Sequence, residues 1–342
     1  MKAFLHVIPA RDMANRYHGT YKDVISRVSW LKARFPDYQQ ALIDRDDPDQ
    51  LNESLKNCTV LSGALVEYSY HPRIVKALKK RFPSAIVAVR AINNEPLQHF
   101  DNHGWWPARG PFWMMYGMAR LLWMDIATKR LADQLLCIND WEIKRYWRWL
   151  PGRARCCWLP YLCPEHLLPR QPVPYAQRRI IACFPTSLKN RKSWDLVTRF
   201  MAWADQMKAN GFDADFVVTG KLNDWGLPAN SSVRFTGMVD DLAGFLGQCR
   251  AVCMLSPLGY GYKTTIGDAI AAGAQVIAHP ALIRRSPAWV RSTLLAVNDP
   301  DLFERLEQVP DGSALPVRLQ SEFDRVIAAA FAGVNQGAGV DE

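Results

Sequence analysis

No stretch of this sequence reaches the roughly 18 to 20 consecutive apolar residues that a membrane-spanning helix needs. The opening MKAFLHVIPARD is apolar only as far as Pro9 and is interrupted by His6, which is too short for a secretory signal and reads as a first strand. The cysteines at 58, 137, 156, 157, 163, 183, 249 and 253 form no C-x-x-C pair, and no histidine stands at zinc-finger spacing from them. Most lie inside apolar runs such as LLCI and IIACF, so reduced core cysteines are expected rather than a metal site or a disulfide frame. No recognisable nucleic-acid-binding module is present, which argues against a DNA or RNA partner, and no internal repeat relates the two halves of the chain.

What is present is an ordinary globular composition, 49% hydrophobic and 22% charged. At 342 residues the chain exceeds what one hydrophobic core usually serves, so two domains are expected. The net charge of +9 sits in one half. Residues 1–163 carry 24 Lys and Arg against 15 Asp and Glu, a balance of 24 − 15 = +9, whereas residues 164–342 carry 18 of each. Nine of the 13 tryptophans also fall in the first half. A basic, tryptophan-rich half fits either an anionic surface or partner, or a solvated basic face over a tryptophan-filled core.

Short apolar runs alternate with amphipathic stretches along the chain. Strands are expected at 3–8, 40–43, 59–65, 85–90, 135–138 and 156–159. Between the first two lies TYKDVISRVSWLKAR (20–34), apolar at 21, 24, 25, 28 and 31, which marks one face of a helix. Five prolines break the pattern at 159–178, and a linker is expected over 161–178. The alternation then restarts, with strands at 179–183, 215–219, 233–236, 251–255, 275–278 and 293–297. Such alternation predicts an α/β fold with parallel sheets covered on both faces. The expected organisation is an N-terminal domain over 1–160, the linker 161–178, a C-terminal domain over 179–318, and a final helix and tail over 319–342. Two doubly wound domains in tandem place ligands in a crevice, at loops that follow the carboxyl ends of strands.

The loop after the strand at 251–255 reads Gly259-Tyr260-Gly261-Tyr262-Lys263 and opens a helix near Thr264. Unpaired first-turn amides and the helix dipole favour an anion there. Gly259 and Gly261 let backbone approach a ligand, Lys263 adds a full charge, and the hydroxyls of Thr264 and Thr265 can donate to phosphate oxygens. Asp268, on the same helix, can accept from a sugar diol. The loop is neither a Walker loop nor G-x-G-x-x-G. On these residues alone a plain helix cap and an anion cradle both remain open.

The segment resembles the donor site of GT-B-fold glycosyltransferases, in particular the large group that includes many bacterial polysaccharide and lipopolysaccharide transferases. The resemblance rests on a strand, G-x-G-x-K, a carboxylate five residues after the lysine, A-x-A-A-G and a further short strand. It extends through VRFTGMVDDLAGFLGQCRAVCMLSP and covers roughly residues 179–300. Asp268 stands where that family usually has the longer glutamate. The resemblance implies two Rossmann-like domains in tandem, with a nucleotide-diphosphate sugar as co-substrate and no other cofactor. It assigns the donor diphosphate to Lys263, Thr264 and Thr265 and the ribose to Asp268, and it sets 236–238, ending at Met238, beside the nucleobase. Lys189 and Arg191, in the basic run 186–192, are implied as neutralisers of the leaving diphosphate.

The N-terminal half resembles the family less closely. Gly19 follows the first strand, where glycine lets the diphosphate approach. Arg90-Ala91-Ile92-Asn93-Asn94-Glu95 resembles an R-x-H-N-x-E loop, with Asn93 in the place of the histidine. Glu95, His99 and His103 follow a strand end, as do Asp12 and His18, and any of these could act on an acceptor hydroxyl. Glu95 and His99 are taken as catalytic candidates beside Lys263. Asp-x-Asp pairs at 44–46, 47–49 and 213–215 lack the context of a metal-binding glycosyltransferase site, so no metal is expected. FWMMYGMARLLWM (112–124), together with the four arginines and two tryptophans of RYWRWLPGRAR (145–155), suits either a buried helix or peripheral contact with an anionic membrane. The expected partners are a nucleotide sugar and a saccharide or lipid-linked acceptor. The expected location is cytoplasmic, either free or peripheral on the inner face of the membrane. A sugar-nucleotide epimerase and a non-catalytic binding protein of the same fold are the alternatives.

Overall fold

The computed structural model describes residues 2–14, 19–103, 110–185, 191–220, 232–310 and 314–332. Among them are twelve strands, one for each apolar run in the sequence. β1 (Lys2–Pro9), β2 (Tyr38–Ile43), β3 (Val60–Glu67), β4 (Ile86–Ala91), β5 (Gln134–Cys137) and β6 (Arg155–Trp158) form one sheet in the order β2-β1-β3-β4-β5-β6. β7 (Ile180–Cys183), β8 (Asp215–Thr219), β9 (Val233–Gly237), β10 (Cys249–Met254), β11 (Gln275–Ala278) and β12 (Leu294–Ala296) form a second, ordered β12-β11-β10-β7-β8-β9. Every neighbouring pair in both sheets is parallel.

Strand order locates the crevices. The chain leaves β1 toward β2 and then returns to β3 on β1's other side, so the first sheet reverses between β1 and β3. The second reverses between β7 and β10. At such reversals successive connections run to opposite faces of the sheet, and a cleft opens outside the carboxyl ends of the two strands.

Residues group into two compact units. The first takes the described residues of Met1–Pro96, Met115–Leu162 and Leu319–Glu342, and the second those of Leu97–Met114 and Cys163–Arg318. Each is held by side-chain alternation on buried strands. From β1, Ala3, Leu5 and Val7 enter one layer with Ile74, Val75 and Leu78 of the helix Pro72–Arg81. Phe4 enters the opposite layer with Leu31 and Phe35. Phe323, Ile327 and Phe331, from the end of the chain, close that second layer. In the other unit, Ile181, Cys183, Phe216, Val218, Ala251 and Cys253 meet Leu196, Val197 and Phe200 of the helix Arg191–Ala209. From Cys163 onward the proline-rich stretch packs on this unit: the Val173 amide donates to the Gly247 carbonyl (3.1 Å), and the Tyr175 hydroxyl donates to that of Leu306 (2.9 Å).

All eight cysteines are reduced, and those at 58, 137, 183, 249 and 253 are buried. No helix among the described residues is long and apolar enough to cross a membrane.

Candidate active site

At the reversal of the second sheet, β10 runs into Ser256-Pro257-Leu258 and then the glycine loop. Ser256 roots the loop: its hydroxyl donates to Asp195 Oδ2 (2.6 Å) and accepts from the Leu258 amide (3.1 Å). Gly259 (φ +93°) and Gly261 (φ +77°) both take left-handed backbone, which a side chain would strain. Lys263 is the N-cap of the helix Thr264–Ala271, and its Nζ donates to the Tyr260 carbonyl at 2.7 Å. Thr264 and Thr265 form the first turn and are half-buried. Arg285 stacks over the Tyr260 ring, 4.9 Å from its centroid, and also donates to the Pro257 carbonyl. Asp268 is fully buried, and its charge, after burial itself, helps to raise the Tyr262 hydroxyl well above the usual phenol range.

The helix Arg191–Ala209, which follows β7 across the reversal, supplies a second lysine. A Cβ built on Gly259 would lie 2.7 Å from Lys192 Cδ and 2.8 Å from Lys263 Nζ, so both lysine side chains converge on the glycine. Burial pushes the Lys192 ammonium below its usual pKa, and the neighbouring Asp101 carboxylate opposes that shift. Lys192 was missed in the sequence, where the adjacent Arg191 was preferred. Its signal was helical register: Lys192 shares a face with the buried Leu196 and Phe200, one and two turns on. Arg191 begins the same helix and is exposed, whereas Lys189 lies outside the described residues. Met238 is exposed directly after β9, the edge strand of the sheet.

The glycine loop has one more set of neighbours. The Gly259 amide donates to Asp101 Oδ2 at 2.6 Å, and the Tyr260 amide to Gln98 Oε1 at 2.7 Å. Both acceptors lie on the helix Glu95–His103, and both are buried.

The reversal of the first sheet has a different chemistry. Beneath it, Arg27 bridges Glu67 (2.6 and 2.9 Å) and Asp23 Oδ1 (2.8 Å), Arg90 donates to both Asp23 oxygens (2.8 and 3.1 Å), and His6 Nε2 pairs with Glu67 (2.6 Å). All five side chains are buried. Burial alone would raise the Asp23 pKa, but Arg27 and Arg90 outweigh it and hold the carboxyl at about 2. This network bolts the helix Gly19–Arg34 onto β1, β3 and β4. Gly19 is the first residue of that helix.

Above the network, Tyr68 takes left-handed backbone (φ 73°), the one non-glycine residue among those described to do so. A buried aromatic residue in that region stores strain of the kind found at functional sites. Tyr70 and His71 follow it, their rings 4.7 Å apart, and Arg11 stands 4.9 Å over the Tyr70 ring. Burial, with the Arg11 charge, lowers His71 to about 4, so the imidazole is neutral at pH 7. Glu95 is half-buried; burial raises its pKa against the opposing pull of Asn93 and Arg11. Asp125 is buried and accepts from the Tyr146 hydroxyl at 2.6 Å. Burial lifts it far above the carboxylate range, and Glu95 and Glu142 add to the rise while Ser69 and Tyr146 oppose it.

Asp12 is buried and accepts from the Thr20 hydroxyl (2.9 Å). His99 is half-buried, with its pKa lowered by burial and then by His103, whose Nδ1 meets the His99 carbonyl at 2.9 Å. His18 lies outside the described residues. His71, Asp125 and Tyr146 escaped sequence reading because they lie on separate elements, Asp125 within the helix Pro111–Leu131, and no motif ties them. Among the described residues no group of three or more His, Cys, Asp and Glu is placed to hold a metal ion.

No protein-family model and no curated protein matches the chain. Solved structures do. Sucrose-phosphate synthase from Thermosynechococcus elongatus superposes with a TM-score of 0.68 at 13% identity, over 97% of this chain and 98% of that one. The α,α-trehalose 6-phosphate synthase of Burkholderia multivorans gives 0.61 at 11% identity, over 99% and 100%. Anabaena HepE, solved with UDP and glucose, gives 0.58 at 9% identity, over 97% and 100%. At these identities the likeness is one of fold, and the fold of this chain is GT-B, as the resemblance in the sequence implied.

Proposed function

We propose that the protein is a glycosyltransferase that moves a sugar from a nucleotide-diphosphate donor to a saccharide or lipid-linked acceptor. The observation that carries this reading is the convergence of Lys192 and Lys263 on left-handed Gly259, at the reversal of a parallel sheet and at a helix N-terminus. The Lys263 ammonium, the Lys192 side chain that reaches the same glycine, and the first-turn amides suit the charge that builds on a departing nucleoside diphosphate. Thr264 and Thr265 supply hydroxyl donors to the same oxygens, and Asp268 is assigned to the ribose. The reading draws further support from proteins of the same fold, among them HepE bound to UDP-glucose and a UDP-forming trehalose-phosphate synthase.

The acceptor is assigned to the reversal of the first sheet. There Glu95, half-buried and with a raised pKa, is the group suited to take the acceptor's proton. Substituting Lys263→Ala should lower turnover by about 10²-fold or more while leaving the melting temperature within a few degrees of wild type. Full transfer activity in that variant would remove the assignment.

A lipid-linked acceptor fits a further feature. The helix Pro111–Leu131 exposes Phe112, Trp113, Met115, Tyr116, Leu122 and Trp123, with Phe112 77% and Trp123 59% exposed. Trp149 and the arginines at 145, 148, 153 and 155 are exposed as well. Exposed aromatics with cationic neighbours suit the interface of an anionic bilayer. Flotation with phosphatidylglycerol vesicles should retain the wild-type protein and release a Trp113→Glu/Trp123→Glu double variant. Equal retention of both would exclude this helix as the contact.

A further inference from the structure

The amides of Gly259 and Tyr260 point at side chains some 160 residues earlier in the chain rather than into the loop's own turn. Gln98 and Asp101 stand three residues apart on the helix Glu95–His103, so they share one face, and each offers a single oxygen to one of two consecutive amides. The two contacts differ in charge. Gln98 brings a neutral amide oxygen. Asp101 brings a carboxylate, 7% exposed and close enough to Lys192 for its charge to be felt there. Lys263 Nζ completes the surroundings of Gly259. An anionic oxygen on a glycine amide between two lysines is what a phosphate oxygen of the donor would find in the same place.

We propose that Asp101 is a built-in surrogate for the donor's phosphate, holding the Gly259 amide beside the lysine pair until a diphosphate displaces it. This rests on the reading of the loop as a diphosphate cradle. If Asp101 stayed in place, its carboxylate would face the incoming phosphates at short range in a partly buried site, where like charges repel more strongly than in water. Donor entry therefore competes with an internal anion, which sets a threshold that neutral ligands do not meet. Gln98, alike in geometry but uncharged, is the control supplied by the fold.

Asp101→Asn keeps an oxygen that can accept from the Gly259 amide and removes the charge. Calorimetric titration of the full chain with UDP, GDP and inorganic pyrophosphate should show the variant binding its diphosphate about ten-fold more tightly than wild type. Asp101→Ser, a second variant that retains a short acceptor, should gain similarly, and Gln98→Ala should show no gain. Equal or weaker diphosphate binding by both Asp101 variants, with unchanged melting temperatures, would overturn the inference and leave Asp101 as an anchor of the loop. If neither the wild type nor the variants bind any of the three probes, the cradle reading falls and the inference with it. Binding without a gain removes the inference alone.

Discussion

The two parallel sheets differ in strand order, yet each reverses once, and the carboxyl edge at that reversal carries opposite chemistry in the two. In the first unit that edge rests on buried ions: Asp23, Arg27, Glu67, Arg90 and His6 pair with one another, and the acids above them, Glu95 and Asp125, are driven toward their neutral forms. In the second unit the edge is built from left-handed glycines, backbone amides, hydroxyls and lysines. Ion pairs among that unit's described residues, such as Arg199–Asp195 and Arg305–Asp299, lie at least partly exposed, unlike the buried network of the first unit. The fold supplies a cleft; burial decides what charge the cleft can hold. A dense aromatic and carboxylate edge favours uncharged groups and proton transfer, whereas an amide and lysine edge favours an anion.

Three substitutions probe this contrast. The largest expected effect is on stability. Arg27→Met leaves Glu67 and Asp23 buried with a partner removed and should cost about 3 to 5 kcal/mol in denaturant unfolding. A loss below about 1 kcal/mol would mean that the network does not carry the N-terminal edge. Next is Glu95→Gln, which should lower turnover by about 10²-fold while nucleoside-diphosphate affinity stays unchanged. Equal losses in turnover and in donor affinity would place Glu95 in the wrong half of the comparison.

The smallest effect concerns pH. His71 has a folded pKa of about 4, below the 6.5 of an unperturbed histidine, so the folded state binds fewer protons than the unfolded state between those values. Its contribution to stability is present above pH 6.5 and is lost as pH falls through that window toward 4. Relative to His71→Phe, the wild type should lose about 2 kcal/mol between pH 7 and pH 5. Parallel stability curves for the two proteins would show that the imidazole is not held neutral.

Much of the fold was legible because parallel strands buried on both faces read as continuous apolar runs, such as FLHVI in β1 and VVT in β8. The glycine loop was legible for the same reason: a strand ends, glycines and a lysine follow, and a helix begins. What lies across the sheet was not. Asp23 and Arg27 carried no signal, and Arg90 was read only as the start of a loop motif, because pairing through the core leaves no local pattern. Asp101 and Gln98 belong to a helix read for its histidines, and their contact with Gly259 bridges 158 residues or more. The aromatic helix Pro111–Leu131 is apolar nearly all round, so its periodicity did not distinguish core from surface; the exposure of Trp113 and Trp123 does. The final helix, Ala314–Ala330, follows the second sheet in sequence, yet Phe323 and Ile327 fill a layer of the first.

The claim on which the rest depends is that Lys192, Lys263 and the glycine loop hold a diphosphate. Calorimetric titration of wild type, Lys192→Ala and Lys263→Ala with UDP and GDP, each set against its parent nucleoside, tests it most directly. The account predicts that one diphosphate binds the wild type, that its nucleoside binds far more weakly, and that each lysine variant loses about ten-fold or more in affinity for the diphosphate alone. Diphosphate affinity unchanged in both lysine variants would contradict it.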